Sequence, residues 1–199
     1  MKVHHRLVAR LIAPLLLTVL ITRVHATVFS YEAFLSGPDE FPPNASPGTG
    51  TAIVDYDDVA HTLYVDIVFS GLLGTTTASH IHAATASPGT GTAGVATTTP
   101  YFAGFPIGVT SGTYVNTLDL TQASSWNPSY ITANGGTTAG AETALIAAIN
   151  AGEAYLNIHT TVVPGGEIRG FLAPVPEPGI LALGSVGLGA LAWFRRKTR

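Results

Sequence analysis

Leu63-Tyr64-Val65-Asp66-Ile67-Val68-Phe69-Ser70-Gly71 is the stretch that decides the fold. Successive side chains of an extended chain point to opposite faces, so Leu63, Val65, Ile67 and Phe69 share one apolar face, and Ser70-Gly71 ends the run as a turn. The same period appears upstream, where Phe29, Tyr31, Ala33 and Leu35 share a face. Further runs of strand character lie at 51–56, 77–84, 112–120, 154–161 and 167–173. Turn residues punctuate them: Gly37-Pro38-Asp39, Pro42-Pro43-Asn44, Ser87-Pro88-Gly89 and Pro164-Gly165-Gly166. One segment has helical spacing instead. Leu145, Ile146 and Ile149 recur three and four apart within 141–151, and Gly152 stands where a helix cap belongs. The expected fold class is all-β, an antiparallel β-sandwich of about seven or eight strands with one short helix. The stretches 92–112 and 133–140, rich in Gly, Ala and Thr, read as long, sequence-tolerant surface loops.

The two ends of the chain have a different character. Lys2, Arg6 and Arg10 precede an apolar run over 11–21, and Val24-His25-Ala26 offers the small residues that signal peptidase reads. Residues 1–26 are therefore read as a cleaved signal peptide. At the other end Val175, Pro176, Glu177 and Pro178 stiffen the chain, 179–194 carry no charge, and Arg195, Arg196, Lys197 and Arg199 follow. This tripartite segment, 175–199, resembles the PEP-CTERM sorting signal of Gram-negative bacteria. The resemblance implies a C-terminal apolar helix held transiently in the inner membrane, processing by an exosortase, and delivery to the cell surface or extracellular matrix. The β domain is left with 27–174.

Charge divides along the same boundaries. Eleven acids and a single base, Arg169, fall within 27–174, a formal charge of −10. Nucleic acid is excluded as a partner, because phosphate binding needs a basic surface. The chain has no cysteine, which removes disulfides, thiolate zinc sites and cysteine nucleophiles. No Gly-x-Ser-x-Gly elbow and no Gly-Lys-Ser/Thr phosphate loop occurs. Ser46-Pro47-Gly48-Thr49-Gly50-Thr51-Ala52 recurs unchanged as Ser87–Ala93, which reads as shared turn chemistry leading into a strand.

His80-Ile81-His82 is the sharpest local feature. On a strand, residues i and i+2 share a face, so both imidazoles project together. Paired imidazoles suit zinc and copper. His159 alternates with the apolar Leu156 and Ile158 and is the natural third ligand, with Glu167, Glu40 or water as a fourth. Arg169, alone among carboxylates, is expected in a structural ion pair with Glu40.

Several segments in fixed order resemble the CHRD domain: Phe34-Leu35-Ser36-Gly37 with Glu40 and Pro42-Pro43, Gly48-Thr49-Gly50-Thr51-Ala52, Phe69-Ser70-Gly71-Leu72, His80-Ile81-His82, Ala154-Tyr155-Leu156-Asn157-Ile158-His159-Thr160 and Gly166-Glu167-Ile168-Arg169-Gly170. The resemblance covers residues 29–173 and implies an all-β extracellular module of no established enzymatic activity. The histidine pattern is also similar to the copper site of copper/zinc superoxide dismutase, without that enzyme's cysteines or second histidine cluster. The functional expectation is a non-enzymatic surface module that binds exopolysaccharide or other surface proteins. The alternative is a copper- or zinc-binding metalloprotein with redox activity.

Overall fold

The alternating runs all become strands, and every pairing among them is antiparallel. The structure, a computed structural model, describes residues 27–176. The segments read as a signal peptide and, apart from Val175 and Pro176, as a sorting signal lie outside the described residues. In chain order the strands are β1 (Val28–Ser36), β2 (Thr49–Asp57), β3 (Thr62–Ser70), β4 (Thr76–His82), β5 (Gly112–Asp119), β6 (Tyr155–Thr160), β7 (Ile168–Phe171) and β8 (Ala173–Pro174). Two α-helices, α1 (Pro128–Ala133) and α2 (Thr138–Asn150), stand between β5 and β6 after a short 3-10 turn at Ala123–Ser125, where the sequence predicts one short helix.

The expected sandwich is corrected by the pairing. All eight strands belong to one sheet of order β4-β6-β7-β1-β2-β3-β5, with β8 beside β1, curled into a half-barrel. The β1–β7 junction is narrow: Ser36 pairs with Arg169, while Tyr31 and Glu32 pair with β8 instead. Gly170 lets β7 approach β1 closely, since a Cβ there would collide with the Phe34 carbonyl. The second layer is built from helices and loop, so no second sheet is needed to cover the apolar face.

That face is the one the sequence marked. Leu63, Val65 and Ile67 of β3 are fully buried, with Tyr31, Ala33 and Leu35 of β1 beside them. Each such side chain contributes roughly 1.5–3 kcal/mol by leaving water. From α2 they meet Ala141, Leu145 and Ile149. The helix is fixed at both ends: the Thr137 side chain accepts from the Gly140 amide. At its C-terminus Gly152 adopts φ +70, and the Gly152 and Glu153 amides donate back to Ile149 and Ala148. Tyr31 donates from its hydroxyl to Asn150, and Tyr56 to Glu142, tying the helix to the sheet.

The reading of 92–112 as a tolerant surface loop is also corrected. Ala96, Thr97 and Phe102 are fully buried and Phe105 nearly so. The segment lies along the free edge of β4, where the Ala96 amide donates to Ile81 and the Phe102 amide to Ser79. Its small residues permit that close approach, and its phenylalanines close the core. Among the described residues no helix is long and apolar enough to cross a membrane.

Candidate metal centre

Strands β4 and β6 are neighbours, with His80 opposite Asn157, His82 opposite Tyr155 and Ala78 opposite His159. The period of two then places all three imidazoles on one face. His80 and His82 are buried and His159 is half-buried, and a ligand nitrogen from each lies within 4.8 Å of the others. The Nε2 atoms of His80 and His159 are 3.1 Å apart. The Tyr155 ring stacks on His82 at 4.6 Å and holds that imidazole in plane.

The other ring nitrogen of each histidine has a backbone partner. Nδ1 of His80 lies 3.1 Å from the Pro100 carbonyl, Nδ1 of His82 lies 2.8 Å from that of Ala93, and Nδ1 of His159 lies 2.9 Å from that of Pro164. A carbonyl oxygen only accepts, so each Nδ1 carries the proton and donates it. In the neutral ring Nε2 is then a bare lone pair. Two such lone pairs, on His80 and His159, face each other, and Nε2 of His82 is buried with no hydrogen-bond partner. A proton does not settle the repulsion at neutral pH. Burial first, and then the neighbouring imidazoles, push His80 down to about 3. Burial pushes His82 down to about 4, against the Ala93 carbonyl and with help from His159 and Arg169. Burial also lowers His159. Three neutral nitrogen donors oriented by backbone acceptors fit the ligand set and outer support of a zinc or copper ion.

Glu167 is held apart from the histidines. It stands just before β7, and its carboxylate faces Thr160. Its Oε1 accepts from Ser46 Oγ at 2.6 Å and from the Leu73 amide, and its Oε2 from the Gly74 amide at 3.1 Å and Thr160 Oγ1 at 2.6 Å. Burial raises its pKa, but these donors outweigh burial and hold the carboxyl below the usual range. No acceptor position remains for a metal.

Arg169 sits in the row His80, Asn157, Arg169 that crosses β4, β6 and β7. Its Nε donates to the Asp39 carbonyl and its Nη1 to the Gly91 carbonyl at 2.7 Å. The guanidinium also lies 4.7 Å from the centre of the Tyr155 ring. Glu40 is the adjacent carboxylate, with Oε2 4.0 Å from Nε. Burial exceeds the pull of Arg169 on Glu40, whose carboxyl is pushed up to about 7.

Sequence reasoning missed the supports. Ala93, Pro100 and Pro164 act through backbone carbonyls and leave no side-chain signature. The repeated heptapeptide did carry a signal: Ser46 of its first copy bonds Glu167, while Gly91 and Ala93 of its second bond Arg169 and His82. Only the first copy leads into a strand.

The fold and this cluster define a curled-sheet β domain with a three-histidine centre on its β4–β6 face. Residues 31–172 match the CHRD domain model, and the chain belongs to the CHRD domain family. No curated protein and no solved structure matches the chain.

Proposed function

We propose that this CHRD domain binds one copper or zinc ion through Nε2 of His80, His82 and His159, and serves as a non-enzymatic binding module of an exported protein. The carrying observation is the arrangement of the three rings: every Nδ1 is spent on a carbonyl, Nε2 of His80 and His159 face each other at 3.1 Å, and Nε2 of His82 is buried without a partner in a cluster whose ligand nitrogens lie within 4.8 Å of one another. A general-base histidine is usually oriented by a carboxylate, and none of these three has one. Among the described residues that pairing occurs at His61 and Glu142, on another part of the molecule. Export through the inner membrane, transient anchoring and surface delivery rest on the signal peptide and on Val175, Pro176, Glu177, Pro178, Arg195 and Arg196.

The test is elemental analysis of the full chain, purified without metal-chelating tags, beside a variant with His80, His82 and His159 all changed to Ala. Near-stoichiometric copper or zinc, lost in the variant, is expected. No metal and no uptake from added copper or zinc overturns the reading.

A further inference from the structure

Arg169 is not one of the three histidines' neighbours in sequence or a ligand, yet two of its contacts lead to His82. Its Nη1 donates to the Gly91 carbonyl at 2.7 Å. Two residues on, the Ala93 carbonyl accepts from Nδ1 of His82 at 2.8 Å, and the Ala93 amide donates to the Tyr155 hydroxyl at 3.3 Å. The guanidinium lies 4.7 Å from the centre of that same Tyr155 ring, whose plane is within 7° of the His82 imidazole. Segment 91–93 is therefore gripped at one end by Arg169 and at the other by Tyr155, beside the one carbonyl that orients His82. The guanidinium is itself anchored, with Nε donating to the Asp39 carbonyl and the residue buried. His80 and His159 take their orientation from the Pro100 and Pro164 carbonyls instead.

Charge and geometry make opposite demands on this arginine. A buried cation close enough to act on His82 opposes a metal ion there by charge alone. By geometry it helps, because a planar fork reaches the Asp39 and Gly91 carbonyls at once, which a single ammonium group cannot do. We propose that Arg169 is a positioning residue of the metal centre: it holds Gly91 and Tyr155 so that the Ala93 carbonyl keeps the proton of His82 on Nδ1 and leaves Nε2 to the ion. The inference rests on the reading of the three histidines as ligands and adds the residue that prepares one of them. Outer partners of this kind change metal affinity by about 10–100-fold.

The experiment measures zinc and copper affinity of the full chain by competition with a chromophoric chelator, for wild type, Arg169→Lys, Arg169→Gln and Gly91→Val. The His82 and His159 tautomers are read from imidazole nitrogen shifts of the metal-free proteins. Gly91→Val tests the grip from outside the core: Gly91 sits at φ +79 with no atom within 4 Å of a Cβ, so the substitution acts through the backbone alone. All three variants should bind metal about 10–100-fold more weakly, with the Nδ1–H tautomer lost at His82 and kept at His159. Arg169→Lys keeps the charge, so its weakening reports geometry. Affinity equal to wild type, or tighter binding by Arg169→Gln as charge alone demands, overturns the proposal. So does loss of the tautomer at both histidines together, which a general disturbance of the fold would give. Should Arg169→Gln fail to fold, Arg169→Lys and Gly91→Val carry the test. A wild-type chain that takes up neither metal sinks the metal reading itself, while the tautomers of the metal-free variants still decide whether Arg169 holds His82.

Discussion

Glu167 is fully buried and Glu40 is 6% exposed, but the two carboxylates have been equipped differently. Glu167 accepts two hydroxyl and two amide hydrogen bonds from four separate positions of the chain. Glu40 has a guanidinium 4.0 Å away, weaker support from the Phe41 amide and the Asn157 side chain, and an Oε1 with no well-formed hydrogen bond. The two carboxyls shift in opposite directions, lowered in Glu167 and raised to about 7 in Glu40. Four donors outweigh burial at Glu167, whereas at Glu40 burial outweighs Arg169 and the weaker donors. A carboxylate with every lone pair taken holds loops together and keeps its charge; one with fewer donors is held closer to neutral.

The largest effect is expected on the closed side. Glu167→Ala strands Ser46, Thr160 and the amides of Leu73 and Gly74 in the interior, and should cost about 3–5 kcal/mol in chemical denaturation. Because its folded pKa is depressed, the stability Glu167 supplies is present above its unfolded pKa and is lost as pH falls through the folded value. A loss below about 1 kcal/mol would mean that the four bonds do not form together.

Glu40 gives the opposite sign. Its carboxyl moves from 4.5 to about 7 on folding, so between those values the folded state holds the extra proton. Its contribution therefore falls as pH rises through that window, by about 1.4 kcal/mol per unit, and is flat above it. Glu40→Gln should remove this slope, so that variant and wild type diverge in denaturation midpoint between pH 5 and pH 8, with the variant favoured at the higher pH. Parallel profiles would place Glu40 in the same class as Glu167 and erase the comparison.

The histidine centre extends the open side. Zinc at 100 times its Kd should raise stability by about 2.7 kcal/mol through mass action. The triple His→Ala variant should show no rise, read as thermal midpoint with and without zinc. An equal rise in both proteins would locate the zinc elsewhere.

Much of this was legible in the sequence, and what was not has physical reasons. The period of two in Leu63, Val65, Ile67 and Phe69 is a local property, and it marked the buried face of β3 correctly. Gly152 marked the end of α2 for the same reason. Whether the strands form two sheets or one is decided by nonlocal pairing such as Ser36 with Arg169, which no local pattern encodes. His80 and His82 could be placed on one face from spacing alone. That His159 comes within 3.1 Å of His80 depends on β4 and β6 being neighbours although 79 positions separate the two residues. Glu167 read as a fourth ligand beside the histidines, but it precedes β7, which begins at Ile168, and its carboxylate is taken by Ser46, Thr160 and the Leu73 and Gly74 amides, which no local pattern announces.

The heptapeptide repeat isolates the closed side most finely, because its two copies are identical over Ser46–Ala52 and Ser87–Ala93. Ser46 is buried and donates to Glu167, whereas Ser87 is exposed, and of its atoms only the backbone carbonyl accepts a bond, from Thr85. If local sequence set the energetics, Ser46→Ala and Ser87→Ala would cost the same. Removing the Ser46 hydroxyl takes one of four donors from a buried carboxylate and also frees the Gly48 amide that it accepts, so about 1–2 kcal/mol should be lost. Ser87→Ala should stay within about 0.5 kcal/mol of wild type, as exposed substitutions do. Equal midpoints for the two variants in urea would mean that the remaining three donors satisfy Glu167 unaided, and that the first copy of the repeat is turn chemistry alone.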